Sequence, residues 1–375
     1  MVVKENKNKK VFVGLSGGVD SSVAAALLKE EGYDVIGVFI KVWHPDFLPC
    51  DWKRDRLDAM RVCAKLEIPF LTFDLEKEYK EGIIDYMISE YKAGKTPNPD
   101  VMCNKQIKFG AFLKKALEMG ADYIATGHYA RKRESTNSKL QNTNKTQIPN
   151  YKLLVGNDDN KDQTYFLWTL NQEQLKHTLF PTGEFPKSKV RELAEKFRLS
   201  TAKKKDSQGL CFIGKLDMAD FLKNYIEEKK GDVLDESGKV IGEHDGVTFL
   251  TIGQRHGFTI TEKGTEDKPY YIVSKDIKNN TITVSHCAKP SLAQLGRNKI
   301  EIKDVNWVSG EIPDLNKKYK ARIRYRQELQ DCRLRLCESR SQAVVDFDES
   351  QDTAAVGQSV VVYDGQECLG GGVIV

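Results

Sequence analysis

Three stretches of this 375-residue chain combine residue types that can do chemistry. The first is Gly14-Leu15-Ser16-Gly17-Gly18-Val19-Asp20-Ser21-Ser22, set between the strand-like Val11-Phe12-Val13 and the helix-like Val23-Ala24-Ala25-Ala26-Leu27-Leu28. A Gly/Ser-rich turn between strand and helix gathers backbone N–H groups and a helix N-terminus at one point, an arrangement that binds phosphate. The glycines admit close approach of the backbone, Ser21 and Ser22 add hydroxyls, and Asp20 suits metal positioning or helix capping. No Lys follows the glycines, so this is not the GxxxxGK[ST] loop. A tight turn capped by Ser or Asp is the plainer alternative.

The second stretch is Asn98-Pro99-Asp100-Val101-Met102-Cys103-Asn104-Lys105. Pro97 and Pro99 enforce an extended loop before a helix, and a cysteine near a helix N-terminus has its thiolate favoured by the dipole, with Lys105 and Lys108 adding positive charge. Asp100, three residues upstream, is close enough to exchange a proton with a substrate. The third stretch surrounds Cys211, after Lys203-Lys204-Lys205-Asp206 and between Gly209 and Gly214. An electropositive, glycine-bounded loop would stabilise a thiolate or persulfide, or dock an RNA phosphate. Taken singly, each cysteine also fits a structural role, Cys103 as a buried thiol beside a turn and Cys211 beside a solvated charge run. Further on, Arg322-Ile323-Arg324-Tyr325-Arg326 alternates with period two, which in a strand would put three guanidinium groups on one face. That face would suit phosphates or simply be solvated.

The elements that must position these residues read as repeated βα units: strands at 11–13, 35–40, 70–73 and 123–126, helices at 55–66, 77–91 and 105–119. Such units predict a doubly wound parallel sheet with ligands at the carboxyl ends of its strands. The 14–22 loop, Ile40 and Gly127-His128 all fall at such ends. Residues 134–150 read as a polar surface insertion, followed by mixed helical segments to about 199 and a short helix at 217–229. From 231 the pattern turns to short β runs. The expected division is an α/β domain over 1–218, a β-rich connector over 219–294 and a β-barrel-like domain over 295–375.

Composition narrows the class. Hydrophobic residues make up 40% of the chain, without an apolar run of membrane-spanning length. The Lys/Asn-rich start lacks the apolar segment of a signal peptide, so the cytoplasm is the expected compartment and no membrane partner is expected. A net charge of +4 permits a nucleic-acid partner without requiring one. The eight cysteines form no CxxC pair, so no metal site is expected, and most should be small buried residues.

The SGGVDSS loop resembles the PP-loop of enzymes that split ATP between its α- and β-phosphates. Together with Ala93-Gly94-Lys95-Thr96-Pro97-Asn98-Pro99-Asp100, Cys103-Asn104-Lys105, Ala125-Thr126-Gly127-His128-Tyr129, Asn160-Lys161-Asp162-Gln163, Gly209-Leu210-Cys211-Phe212-Ile213-Gly214, Thr251-Ile252-Gly253-Gln254-Arg255, Arg324-Tyr325-Arg326-Gln327 and Cys368-Leu369-Gly370-Gly371-Gly372, it closely resembles the tRNA-specific 2-thiouridylase (MnmA/TrmU) family. The chain departs from the family in having Val356, where Pro is common, before Gly357-Gln358.

The resemblance implies ATP-driven transfer of sulfur to C2 of the wobble uridine of tRNA. Gly14, Leu15, Ser16, Gly17, Gly18, Val19, Asp20, Ser21, Ile40 and Gly127 would hold ATP, with Mg²⁺ accompanying it. Uridine O2 would attack the α-phosphate. Cys211 would carry a persulfide received from a cysteine desulfurase or relay protein, Cys103 would attack Cys211 to release the transferred sulfur and leave a transient disulfide, and Asp100 would act as general acid/base. The implied tRNA contacts are Asn98, Pro99, Asp100, His128, Lys161, Asp162, Gln163, Arg324, Tyr325 and Gln358, and the base must leave its stack to react. The competing readings are another PP-loop adenylating enzyme and a non-catalytic tRNA-binding sulfur carrier.

Overall fold

Val11, Phe12 and Val13 are all buried, as a strand covered on both faces must be. They belong to a five-stranded parallel sheet. The computed structural model describes residues 8–47, 52–135, 150–206, 217–261, 268–286, 298–337, 339, 341–351 and 354–375. Its first strands are β1 (Lys10–Gly14), β2 (Asp34–Lys41), β3 (Phe70–Asp74), β4 (Tyr123–Ala125), a hairpin of β5 (Ala130–Ser135) and β6 (Asn150–Val155), and β7 (Thr178–Leu179). The parallel sheet has the order β3-β2-β1-β4-β7. The chain works outward from β1 to β3 and then returns to the other side of β1, so the strand order reverses between β1 and β4, where open α/β sheets bind ligands.

Helices cover both faces. Val19–Glu30, Trp52–Leu66 and Lys187–Lys196 share one apolar cluster, including Val23, Val62 and Leu193. The helical stretches at 76–92 and 99–118 share the other, with Tyr79, Ile84, Ile107 and Phe112. Each of these two stretches contains a π-helical segment, Lys80–Asp85 and Cys103–Ala111, that periodicity does not predict.

The connector sheet comprises β8 (Gly231–Leu234), β9 (Val240–His244), β10 (Phe258–Ile260), β11 (Tyr271–Asp276) and β12 (Thr281–Ser285), around Val233, Ile241, Ile272 and Val284. The helix expected over 217–229 is shorter, Met218–Lys223. The Asn224 side chain closes it by donating to the Asp220 and Phe221 carbonyls.

The C-terminal strands β13 (Lys299–Trp307), β14 (Tyr319–Arg322), β15 (Gln330–Leu336), β16 (Gln342–Phe347), β17 (Ser359–Asp364) and β18 (Glu367–Ile374) form a closed antiparallel barrel, β13 pairing with β18 to complete it. Ile302, Leu334, Val345 and Val360 fill it. The β5–β6 hairpin pairs with β18, Leu153 opposite Cys368, so the α/β unit adds two strands to the barrel's sheet. After the polar insertion the chain first forms a strand, β6, and the expected helical segments follow at Gln172–Lys176 and Lys187–Lys196. Glu134, Ser135 and Asn150 are strand residues, and 136–149 lie outside the described residues. Among the described residues no helix is long and apolar enough to cross a membrane.

A second correction concerns the arginine run. β14 ends at Arg322, and the chain turns through 323–326 with Arg326 at a φ of 64° and Gln327 N–H bonded to the Arg324 carbonyl. The three guanidinium groups therefore do not share a strand face. Arg322 is buried and donates to Asp162 at 2.9 Å, over the ring of Tyr363. Asp162 also accepts from the Gly156 and Thr164 amides and the Thr164 hydroxyl. A buried ion pair of this kind is costly to half-remove. Asp162→Ala, which strands the Arg322 charge, should lower unfolding free energy by about 3–5 kcal/mol, read as a lower urea midpoint.

Candidate active site

The loop after β1 is shaped by contacts that only glycine permits. Gly17 has a φ of 71°, and a Cβ there would lie 2.5 Å from the Asp55 carbonyl oxygen in the Trp52–Leu66 helix. Gly127, just past β4, packs so closely over the start of the Val19–Glu30 helix that a Cβ would lie 2.6 Å from the Ser21 nitrogen. The 14–22 loop and Gly127 therefore meet at the switch point. Gly18 begins the helix without a side-chain cap, while the Ser21 and Ser22 hydroxyls donate to the Gly18 carbonyl. The Ser16 amide donates to the Ser21 hydroxyl at 3.3 Å. An uncapped helix start beside glycine-walled space fits a polyphosphate. Ile40 also lies near a strand end, but its side chain is in the core beneath β2.

Asp20 is held on two sides. Tyr129 donates its hydroxyl to Asp20 at 2.7 Å, and Lys187 Nζ sits 2.7 and 2.8 Å from the two carboxylate oxygens. Burial and the neighbouring Asp20 charge push the Tyr129 phenol well up, so it stays a donor. Lys187 also reaches Asp206 at 2.8 Å, and Asp206 is further held by Lys161 and Arg191 at 2.8 Å each. Burial opposes ionisation of Asp206, but the hydrogen bonds of Lys161 and Lys187 outweigh it and hold its carboxyl at about 2. Neither Lys187 nor Asp206 was singled out as a functional residue by sequence reasoning. The pattern signal for Asp206 was its place in the Lys run before Cys211. Lys187 carried none beyond the start of a helix.

The second group lies on the 99–118 helical stretch. Asn98 caps it by accepting from the Val101 amide, Pro99 occupies its first turn, and Asp100 and Cys103 stand three residues apart on neighbouring turns. The dipole argument for Cys103 is corrected: the residue lies past the first turn, in the π segment, and is fully buried. Asp100 is half-buried. The same helical stretch places Phe112 under Gly14 and Phe109 against His128, with ring centroids 5.7 Å apart, so one element spans the thiol and the phosphate loop. Cys211 lies outside the described residues, which end at Asp206 on that side.

The barrel and connector clasp the Asn98 loop. Gln358 donates to the Thr96 and Pro97 carbonyls, the Thr96 amide donates to the Val356 carbonyl, and the Thr96 and Thr251 hydroxyls are 3.2 Å apart. Tyr325 packs on Phe166 at 4.6 Å, and Arg324 lies half-buried beside the Ile252 carbonyl. The run 161–163 divides its side chains: Lys161 turns to Asp206, Asp162 to Arg322, and Gln163 accepts from the Tyr129 amide. The side chains of Asp162 and His128 are buried. His128 hydrogen-bonds Thr126 at 2.8 Å, and burial, then the charge of Lys108, holds its pKa well below 6.5.

Cys63, Cys332 and Cys368 are buried among apolar residues. Burial pushes the Cys63 and Cys332 thiols up to about 12 and that of Cys368 up as well. Among the described residues no group of three or more His, Cys, Asp or Glu could hold a metal ion.

Family models match the tRNA methyl transferase HUP domain over residues 9–215, the tRNA methyl transferase PRC-barrel domain over 219–286 and the aminomethyltransferase beta-barrel domain over 297–374. The chain is 45% identical over 373 residues to the tRNA-specific 2-thiouridylase MnmA of Francisella philomiragia, covering 98% of this chain and 100% of the relative. It is 46% identical over 375 residues to that of Francisella tularensis subsp. holarctica, with the same coverage. The U34-tRNA thiolase NcsA from Methanococcus maripaludis, solved with its [4Fe-4S] cluster, matches 55% of this chain and 62% of its own at 20% identity and a TM-score of 0.35, too distant to weigh.

Two outcomes follow from the geometry. Gly17→Ala, which forces strain at a positive φ and a clash with Asp55, should weaken ATP binding by about tenfold or more, checked by equilibrium dialysis with labelled ATP. His128 is held neutral in the fold but protonates near pH 6.5 once unfolded, so its contribution to stability is full above that pH and is lost as pH falls. The urea midpoint should drop between pH 7 and pH 5, and His128→Gln should flatten that slope.

Proposed function

The chain belongs to the tRNA-specific 2-thiouridylase family, and from that premise we propose how its residues divide the work. The activity is ATP-dependent 2-thiolation of the wobble uridine of tRNA. Uridine O2 attacks the α-phosphate of ATP, the bond to the β-phosphate breaks, and diphosphate leaves with the electron pair. The adenylated oxygen is then displaced as AMP when sulfur adds to C2. The observation that carries this division is the convergence of the uncapped Gly18 helix start, Gly17 and Gly127 at the switch point, above the helical stretch that bears Asp100 and Cys103.

On this reading residues 14–21 and Gly127 hold the triphosphate, with Ile40 contributing backbone. Mg²⁺ would be carried mainly by phosphate oxygens, with Asp20 as the protein carboxylate, and would neutralise charge on the leaving diphosphate. Cys211 receives sulfur as a persulfide from a donor protein, and Cys103 attacks Cys211 to free the outer sulfur, the two ending as a disulfide. Asp100, beside Cys103, handles the proton. Asn98, Pro99 and Asp100 frame the target base. Lys161, Gln163, Arg324, Tyr325 and Gln358, each partly exposed, contact tRNA or shape the loops that do. His128 and Asp162 support that surface from inside. The reaction takes place in the cytoplasm, with tRNA as substrate.

The test is incubation with ATP, Mg²⁺, a persulfide source and unmodified tRNA, followed by mass spectrometry of the nucleosides. The wobble uridine should gain sulfur, and Cys211→Ala and Cys103→Ala should each abolish that gain. Sulfur incorporation unaffected by either substitution would overturn the assigned roles.

A further inference from the structure

The phosphate loop contains no cation of its own, because Gly14–Ser22 lacks the lysine that follows the glycines in the commoner nucleotide loop. Splitting ATP at the α-phosphate leaves diphosphate, whose growing negative charge must be met by something in the site. The fold brings a lysine to the loop from a distant part of the chain. Lys187 opens the Lys187–Lys196 helix, and its backbone N–H is fixed by Asp158 at 2.9 Å. Its ammonium bridges Asp20 of the loop and Asp206, all contacts between 2.7 and 2.8 Å, with the side chain only 11% exposed. The ammonium also lies 5.8 Å from the centroid of the Tyr129 ring.

Lys187 joins two carboxylates, Asp20 and Asp206, while a third, that of Asp158, accepts from its backbone N–H. Asp206 is already neutralised by Lys161 and Arg191 without Lys187. That leaves Lys187 paired chiefly with Asp20, a residue on the first turn of the helix whose N-terminus faces the ligand space.

We propose that Lys187 is the phosphate-contacting cation of this site, held by Asp20 in the absence of nucleotide and donated to the departing diphosphate when ATP is split. Resting on the ATP-dependent reading above, the step adds no new bond chemistry. The bond between Pα and its bridging oxygen breaks, the electron pair goes to that oxygen, and the Lys187 ammonium hydrogen-bonds the charge that accumulates there. Asp20, released from Lys187, is then free to serve the accompanying cation. Lys187 thereby does from another helix what a loop lysine does elsewhere.

The test measures tRNA-dependent AMP formation and the KM for ATP, so that sulfur transfer does not enter the readout. Lys187→Met should lower kcat for AMP formation about 100-fold, the scale of losing one charge-stabilising donor, while the KM for ATP changes less. Lys187→Arg, which keeps the charge, should recover most of the rate. Thermal unfolding monitors folding, and Lys187→Gln, which keeps hydrogen bonding without charge, serves where Met is not tolerated. The double variant Lys187→Met with Asp206→Asn separates a phosphate role from simple neutralisation of Asp206. A double variant as slow as Lys187→Met supports the proposal. A double variant restored to the wild-type rate overturns it, as does a folded, charge-free variant within about threefold of wild type. Failure of the wild-type protein to form AMP with tRNA would instead sink the underlying reading.

Discussion

The buried pair of Asp162 and Arg322 is the contact that ties the α/β unit to the barrel. Arg322 closes a barrel strand, and Asp162 sits in the turn that follows the β5–β6 hairpin. Each is nearly inaccessible, so removing one partner would strand the other's charge in the interior. Besides Arg322, Asp162 accepts from two backbone amides and a hydroxyl, while the buried Arg322 Nε has no hydrogen-bond partner among the described residues. The turn so fixed presents Gln163 to the Tyr129 backbone, Tyr129 presents its hydroxyl to Asp20, and Asp20 belongs to the phosphate loop. Barrel and loop are thereby registered through a short series of polar contacts. The neighbouring Tyr165 hydroxyl, 3.1 and 3.0 Å from the Ile323 and Ser359 carbonyls, fastens the same segment to the barrel a second time.

The Asn98 loop depends on this registration, because its walls come from separate parts of the chain. Thr96 and Pro97 take hydrogen bonds from Gln358 and give one to Val356, and Gly357 approaches so closely that a Cβ would lie 2.9 Å from the Thr96 oxygen. Loops with few contacts of their own are the least stable parts of a fold. Here the barrel supplies the missing contacts, so the position of Asn98, Pro99 and Asp100 is set as much by residues near 357 as by the helix they begin. Val356 contributes a backbone carbonyl to this clasp, which does not depend on its side chain.

Local sequence made the parallel sheet, the phosphate loop and the start of the thiol-bearing helix legible, because each has a short-range signature: apolar runs of strand length, paired glycines before a helix, prolines before a capping Asn. Side-chain destinations were not legible. Lys161, Asp162 and Gln163 are adjacent, yet they turn to the 206 region, the barrel and Tyr129 respectively, and only the tertiary arrangement decides that. The Arg322–Arg326 run misled for the same reason. Alternation implies a strand face, but the strand stops at Arg322 once its guanidinium is committed to Asp162, and the following residues must turn. Lys187 carried no signal, since its importance lies in two carboxylates 167 and 19 positions away along the chain.

Cys103 shows why burial and chemistry need not conflict at such a site. Its thiol has no exposed surface and sits in a π-helical segment, whose wider turns sacrifice regular hydrogen bonding and are often found at functional positions. On the proposed reading Cys103 acts last, after the base is adenylated and sulfur is in place. A thiol exposed earlier would meet persulfide donors and oxidants directly, because reactivity follows thiolate character and access. Covering it makes its use, on that reading, conditional on rearrangement at the start of its own helix, where Asn98, Pro99 and Asp100 would frame the base. The cap that the Asn98 side chain gives to Val101 is the contact at that start which an incoming base would have to compete with, so the recognition loop and the protection of the nucleophile rest on the same few residues.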